Sequence, residues 1–167
     1  MKKYTLPIIV FGVIFSLIIV VILSIYPYSS SPISVKKFVS SQNGTLGIER
    51  LIALTEISDE IDLVFYYTSN NQIAANFLIK NNKGQYVKLV MTSTRSVDDI
   101  NNIVASTRIL HLFEATLYWG IAQSPDWTIN HPNAHQIVVD GLTLVYYLHD
   151  KSLDEETLDL EFVQSIS

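Results

Sequence analysis

Two histidines in the last third of the chain are the residues whose type and spacing best suit metal chemistry. His131 and His135 enclose the sequence H-P-N-A-H, and imidazoles four residues apart on a helix can bind one metal ion. Pro132 and Asn133 favour a loop instead, and no glutamate follows the first histidine, so the zinc-protease pattern is absent. A third ligand could come from His111, His149 or Asp150. The alternatives are a metal site at His131 and His135, or loop histidines with ordinary hydrogen bonds.

Carboxylates are concentrated in the last twenty residues of the chain. They are Asp150, Asp154, Glu155, Glu156, Asp159 and Glu161. Such a cluster could perform acid/base work or bind calcium, but its spacing does not match an EF-hand loop, which needs glycine at its sixth position. A solvated polar face is the better interpretation, and its charge would also protect an edge strand from aggregation.

Aromatic residues suggest a possible binding platform for carbohydrate or peptide. The weak candidates for binding are Tyr118, Trp119 and Trp127, accompanied by Tyr146 and Tyr147. The alternative is that these rings fill the core of a small antiparallel sheet. Gly120 follows Trp119 directly, and glycine in a strand marks a bulge or a close approach, for example to a ligand.

Other catalytic signatures are missing from the sequence. With no cysteine there is no thiol nucleophile, disulfide or thiolate metal site. The serines match no G-x-S-x-G or S-x-x-K pattern, and the six glycines form no phosphate-binding loop. We therefore assign no catalytic residue and no cofactor, and consider an enzyme less plausible than a binding protein.

Charge argues against nucleic acid as a partner. The formal net charge is −5, and without Lys2 and Lys3 the rest of the chain has nine basic and sixteen acidic side chains. Such a surface repels phosphate backbones.

The N-terminal segment predicts a transmembrane helix at residues 6–26. These 21 residues carry no charge, and sixteen of them are Leu, Ile, Val or Phe. As a helix they would be about 31 Å long, which matches the hydrocarbon core of a bilayer. A cleavable signal is the alternative, although the apolar run is long for one and no good small-x-small site ends it. Lys2 and Lys3 favour a cytoplasmic N-terminus, residues 1–5, and an extracytoplasmic C-terminal domain.

The rest of the chain predicts one α+β domain at residues 35–167 behind a Ser/Pro-rich linker at residues 27–34. Period-two alternation predicts a mostly antiparallel sheet of about seven strands. The strands lie near residues 50–57, 61–68, 72–80, 85–92, 114–123, 136–140 and 142–149, with Val87, Leu89 and Met91 pointing inward and a last edge strand near Leu160.

One or two helices are expected to cover this sheet. Residues 35–42 suit one short helix. Residues 96–113 have apolar side chains at helical spacing, with Ser96 as N-cap and Asp98 and Asp99 in the first turn. Asp140-Gly141 predicts a two-residue hairpin turn.

The order of features resembles small single-pass, surface-anchored proteins of Gram-positive bacteria. The matching tracts are the K-K start, the apolar helix, DLVFYY, IAANFLIK, LYWGIAQSPDW and IVVDG, of which the last four lie roughly between residues 49 and 149. The resemblance implies an extracytoplasmic location and supplies no catalytic residue.

The sequence therefore predicts a membrane-anchored, non-catalytic binding or accessory domain. Its partners would be the lipid bilayer, through residues 6–26, and a protein, peptide or envelope component. The alternatives are a metal-assisted or acid/base envelope enzyme using His131 and His135, and a membrane-tethered sensor or inhibitor.

Overall fold

Ten β-strands and one α-helix make up the part of the chain that the computed structural model describes, namely residues 32–42, 48–110, 113–150 and 158–164. In chain order they are α1 (Pro32–Gln42), β1 (Ile48–Ser58), β2 (Ile61–Thr68), β3 (Gln72–Lys80), β4 (Tyr86–Ser96), β5 (Val104–Leu110), β6 (Phe113–Ala122), β7 (Trp127–Ile129), β8 (His135–Val139), β9 (Leu142–Asp150) and β10 (Phe162–Gln164).

The strands form two four-stranded antiparallel sheets and a small ribbon. Sheet 1 has the order β1-β2-β3-β4, sheet 2 has the order β5-β6-β9-β8, and the ribbon pairs β10 with β7. Short turns connect most neighbours, as antiparallel pairing allows. The Asp140-Gly141 turn has φ of 52° and 79°, so the predicted hairpin is confirmed.

The main core lies between the two sheets. Alternate residues of each strand point to the same face, so one face of sheet 1 packs against one face of sheet 2. Phe65 of β2 contacts Trp119 and Tyr146 of sheet 2, with ring centroids 5.6 and 5.8 Å apart. The cluster comprises Ile61, Leu63, Phe65, Ile73, Ala75, Phe77, Ile79, Ala115, Leu117, Trp119, Ile121, Leu144 and Tyr146. The architecture is a β-sandwich.

Both outer faces of the sandwich are partly covered. Helix α1 buries Val35 and Val39 against the outer face of sheet 1, together with Val64 and Tyr66. The ribbon buries Ile129 against the outer face of sheet 2, beside Val145. Because α1 covers one face of sheet 1 and sheet 2 covers the other, β2 and β3 are buried along nearly their whole length.

The predicted helix at residues 96–113 is wrong, because residues 97–110 form a turn followed by β5 and Phe113 begins β6. Asp99, expected in the first turn of a helix, forms an ion pair with Arg95. Asn101 then has a φ of 54°, which no helix continues through. From Val104 onward each residue pairs with β6, and β-branched residues such as Thr107 fit a pleated surface.

The predicted fold class is corrected accordingly. The described part is mostly antiparallel β-sheet with one short helix, α1, which confirms the helix predicted at residues 35–42. The α+β assignment depended on the segment at residues 96–113 serving as a covering helix, and that segment lies in sheet 2.

The predicted transmembrane helix at residues 6–26 lies outside the described residues. Within the described ranges no helix is long and apolar enough to cross a membrane, and α1 has only 11 residues. The described residues form a mostly β domain, and they do not support the description of the chain as a single-pass membrane protein. The division of the chain at residues 5, 26 and 34 stays a prediction.

Candidate binding cleft

A cleft of about 620 Å³ lies at one edge of the sandwich, where β1 is the outer strand of sheet 1 and β8 the outer strand of sheet 2. Strand β8 begins at His135, opposite Tyr146, whereas β9 continues four residues further to Asp150. The cleft lies beside this last stretch of β9, beyond the start of β8. Its lining residues are Thr55, Glu56, Ile57, His131, Asn133, His135, Tyr146, Tyr147, Leu148, His149, Asp150 and Leu158.

Tyr147 organises the outer side of the cleft. Its ring stacks on that of His131 with 3.7 Å between centroids, and on that of Tyr118 at 6.2 Å. Its hydroxyl lies 3.3 Å from Nδ1 of His149. The backbone N–H of Asn133 donates to Nδ1 of His131, which fixes the imidazole from a second direction. Two histidines are therefore held around one buried tyrosine before any ligand arrives.

Tyr146 organises the inner side of the cleft. Its ring stacks on that of His135, with 5.1 Å between centroids, and its hydroxyl reaches Thr55 of β1. Burial raises the pKa of the Tyr146 phenol, and the hydrogen bond with Thr55 offsets part of this rise. Tyr146 is therefore a neutral hydrogen-bonding group that ties β9 to β1.

Two acidic residues, Glu56 of β1 and Asp150 of β9, are among the lining residues, and no lysine or arginine is among those that the structure describes. Oε1 of Glu56 lies 3.5 Å from Nζ of Lys80. The same Nζ lies closer to Oδ1 of Asp62, at 2.9 Å. The Glu56 side chain remains 67% exposed. The cleft is consequently rich in hydrogen-bond acceptors.

The structure separates the aromatic residues predicted as a platform. Trp119 is fully buried in the core between the sheets, where its Nε1 donates to Oγ of Ser93 over 2.7 Å. Tyr118, the preceding residue on β6, points to the opposite face and reaches the cleft through Tyr147. Trp127 lies half-buried in the ribbon. Of these three, Tyr118 is the one that supports the cleft.

Gly120 makes a close approach within the domain itself. A Cβ at this position would overlap the carbonyl oxygen of Asn102 and lie 2.8 Å from the ring of Phe162. The strand must therefore lack a side chain where the β4–β5 connection and the ribbon cross it. The close approach expected from the sequence is made to the protein's own chain.

The predicted metal ligands are divided by the sheet. His131 stacks on Tyr147 and His135 on Tyr146, and adjacent residues of a strand point to opposite faces. Across the described ranges, no three His, Cys, Asp or Glu residues are grouped so that they could hold a metal ion. The third ligand considered at His111 lies outside the described residues.

A second groove, about 340 Å³, lies between α1 and β4 and has a mainly apolar lining. Phe38 of α1 and Tyr86 of β4 form its floor, with ring centroids 5.7 Å apart, and Val87 stands 54% exposed at its side. Val87 and Met91 were predicted to point inward, but both are more than half exposed because α1 is too short to cover the edge of sheet 1.

Sequence patterns missed most of the cleft. Thr55 and Glu56 of β1 line the cleft together with Leu148 and His149 of β9. More than ninety residues of sequence separate the two pairs, so only the folded sandwich brings them together. The pairing of His131 with Tyr147 likewise has no local signal. Comparisons of the chain with protein families, curated proteins and solved structures find no match.

Proposed function

We propose that the domain is a non-catalytic binding module that takes a polar ligand into the cleft between β1 and β9. The observation that carries this proposal is that three histidines, an asparagine and two acidic residues line one cleft. Its volume of about 620 Å³ lies within the range of about 300–1,000 Å³ that is usual for ligand sites. A few polar groups in a shaped pocket are what fixes a ligand's orientation.

The histidines are held in place, which favours binding. His131 is fixed by a stacked ring and a backbone hydrogen bond, and His135 by a stacked ring. Side chains that are already ordered lose less conformational entropy when a ligand binds, by about 0.5–1.5 kcal/mol for each one. The cleft therefore resembles a preorganised receptor.

The arrangement gives less support to catalysis. The hydroxyls that line the cleft belong to Thr55, Tyr146 and Tyr147. Burial raises the pKa of Tyr146 and so makes its phenolate less accessible. The Thr55 hydroxyl bonds with Tyr146, and the Tyr147 hydroxyl lies 3.3 Å from Nδ1 of His149, which is longer than the about 2.6–3.2 Å expected between an activated nucleophile and its base.

Amide chemical-shift mapping tests the proposal. The ¹⁵N-labelled full-length chain is titrated with a set of short peptides, amino sugars and dicarboxylic acids. We expect at least one probe to shift the amides of residues 55–57, 131–135 and 147–150 together. The variant His149→Gln should then weaken binding of that probe about fivefold or more, because one donor or acceptor is displaced.

A matched control uses the other groove. Lys37→Gln alters a residue that lines the groove between α1 and β4 and should leave the affinity unchanged. Shifts confined to that groove, conversion of a probe into product, or no cleft shift with any probe would each overturn the proposal.

A further inference from the structure

We propose that the face formed by α1 and β4 docks on a lipid surface that carries anionic headgroups. This basic face comprises the groove between α1 and β4 together with the exposed side chains of β4 and of the turn before it. The cleft lies at β1, the outer strand on the other side of sheet 1. The inference is therefore independent of the proposed function.

Charge is unevenly distributed along the chain. Residues 1–48 and 63–97 contain eight of the eleven basic residues and none of the sixteen acidic ones. The structure brings parts of these two stretches together, because α1 packs on the outer face of sheet 1 and shares the groove with β4. The undescribed residues that adjoin α1, at 1–31 and 43–47, contain no acidic side chain, so they cannot neutralise the basic face.

Four exposed lysines lie on α1, in the turn before β4 and on β4 itself: Lys36, Lys37, Lys83 and Lys88. The described lining of the groove includes Lys37 and no acidic residue. Asp62 lies beneath α1, but it is buried and paired with Lys80, so it does not offset the exposed lysines. Each lysine held near an anionic bilayer strengthens binding about fivefold. The face thus carries the charge that anionic headgroups attract.

Apolar side chains stand among these lysines. Val87 and Met91 of β4 are 54% and 53% exposed, and Phe38 and Tyr86 form the floor of the groove. Val87 is a bulge residue, because Tyr86 and Lys88 pair with consecutive residues of β3 and leave it without a partner. Apolar side chains that project between lysines can enter the acyl boundary while the ammonium groups remain at the headgroups.

The position of α1 in the chain favours a lipid surface over an acidic protein. The uncharged apolar segment at residues 6–26 ends five residues before α1 begins at Pro32. A fully extended chain of that length spans at most about 20 Å. A lipid surface that takes up this segment therefore lies within reach of the lysines, and docking on it requires no shaped partner.

Methyl NMR of the full-length chain in nanodiscs tests the inference. The chain contains two methionines, Met1 and Met91, so labelling of methionine methyl groups gives one signal from the basic face. Nanodiscs of phosphatidylcholine are compared with nanodiscs in which part of this lipid is replaced by phosphatidylglycerol. A nitroxide on a small fraction of the headgroups broadens the signals of methyl groups that approach the surface.

We expect the nitroxide to relax the Met91 methyl group at least threefold faster in the anionic nanodiscs than in the neutral ones. Added salt should reduce this difference, because it screens the lysines. Lys88→Gln should lower the enhancement by at least half, and Lys88→Arg should retain it. Arg50→Gln is the charge-matched control, since Arg50 is exposed on β1 and should leave the enhancement unchanged.

Three results would overturn the inference: equal relaxation of Met91 in the two kinds of nanodisc, a difference that salt does not reduce, or equal effects of Lys88→Gln and Arg50→Gln. An end-blocked (Glu-Leu)₄ peptide provides a further arm. If it shifts the Met91 signal in neutral nanodiscs while anionic lipid has no effect, the basic face belongs to an acidic protein partner and the lipid surface is rejected.

Discussion

The hydroxyl of Tyr86 donates to Oδ2 of Asp62 over 2.6 Å beneath helix α1. Asp62 is 2% exposed and also accepts a hydrogen bond from Nζ of Lys80 at 2.9 Å. A buried carboxylate is tolerated only when charge and hydrogen bonds compensate its lost hydration. This trio ties β2, β3 and β4 together on the outer face of sheet 1.

Removal of the charge of Asp62 should be costly. Asp62→Asn leaves Lys80 without its nearest counter-charge, and we expect a loss of about 3 kcal/mol in the free energy of unfolding, measured by urea denaturation. Asp140→Asn is the control, because Asp140 is 66% exposed in its ion pair with Arg50 and should lose less than about 1 kcal/mol. Equal losses in the two variants would contradict this role for Asp62.

The same trio predicts loss of stability at alkaline pH. Burial and the hydrogen bond to Asp62 raise the pKa of Tyr86. Burial lowers the pKa of Lys80, but the hydrogen bonds and charges of Asp62 and Glu56 outweigh it, so the net pKa is raised. Groups that hold protons more tightly when folded stabilise fully below their unfolded pKa values, about 10 to 10.4 here, and lose this contribution as pH rises above them.

Denaturation between pH 9 and pH 11.5 measures this fall. Tyr86→Phe should be less stable by about 1 kcal/mol near neutral pH, since one hydrogen bond is lost, yet its stability should decline less steeply above pH 10. Parallel curves for the two proteins would show that Tyr86 does not contribute to the pH dependence.

Gly120 should tolerate no side chain. In Gly120→Ala the new methyl group meets a backbone carbonyl, that of Asn102, which cannot rotate away as a side chain would. We expect a loss of about 2–3 kcal/mol by urea denaturation. Gly84→Ala provides the comparison, because nothing lies within 4 Å of that position and only its φ of 71° opposes a side chain, at about 1 kcal/mol. A milder effect at Gly120 than at Gly84 would be inconsistent with the packing.

Zinc should have little effect on the domain. Because the rings of His131 and His135 lie over tyrosines on opposite faces of sheet 2, one ion cannot bind both without rearrangement. We expect Zn²⁺ or EDTA to change the melting temperature by less than about 1 °C. The variant His131→Ala should respond to Zn²⁺ in the same way as the unmodified protein. A rise of several degrees with Zn²⁺ that His131→Ala removes would contradict this expectation and support a metal site at His131.

Local patterns predicted most strands because a strand buried on one face has apolar residues at every second position, and a strand buried on both faces is apolar along most of its length. Strands β2 and β3 were predicted at residues 61–68 and 72–80, where the structure places them, and positive φ at Asp140 and Gly141 followed from residue type alone. The segment at residues 96–113 was predicted as a helix because, over a short stretch, its apolar spacing fits both the helical period of 3.6 and the strand period of 2. Tertiary pairing with β6 then decided in favour of a strand.

The candidate site was less predictable, since its walls come from distant strands. His131 and His135 were noticed for their spacing, but their stacking on adjacent tyrosines of β9 depends on where β8 begins. Trp119 was a candidate for binding because it is a large aromatic residue, but it lies wholly in the core. The extracytoplasmic location stays a prediction of the sequence.

Amide chemical-shift mapping of the cleft tests the central claim most directly. A probe that binds should shift the amides of residues 55–57, 131–135 and 147–150 together and leave those of the groove between α1 and β4 unchanged. The variant His149→Gln should weaken binding of that probe about fivefold or more. If no probe shifts the cleft amides, or if the shifts are confined to the other groove, the account is contradicted.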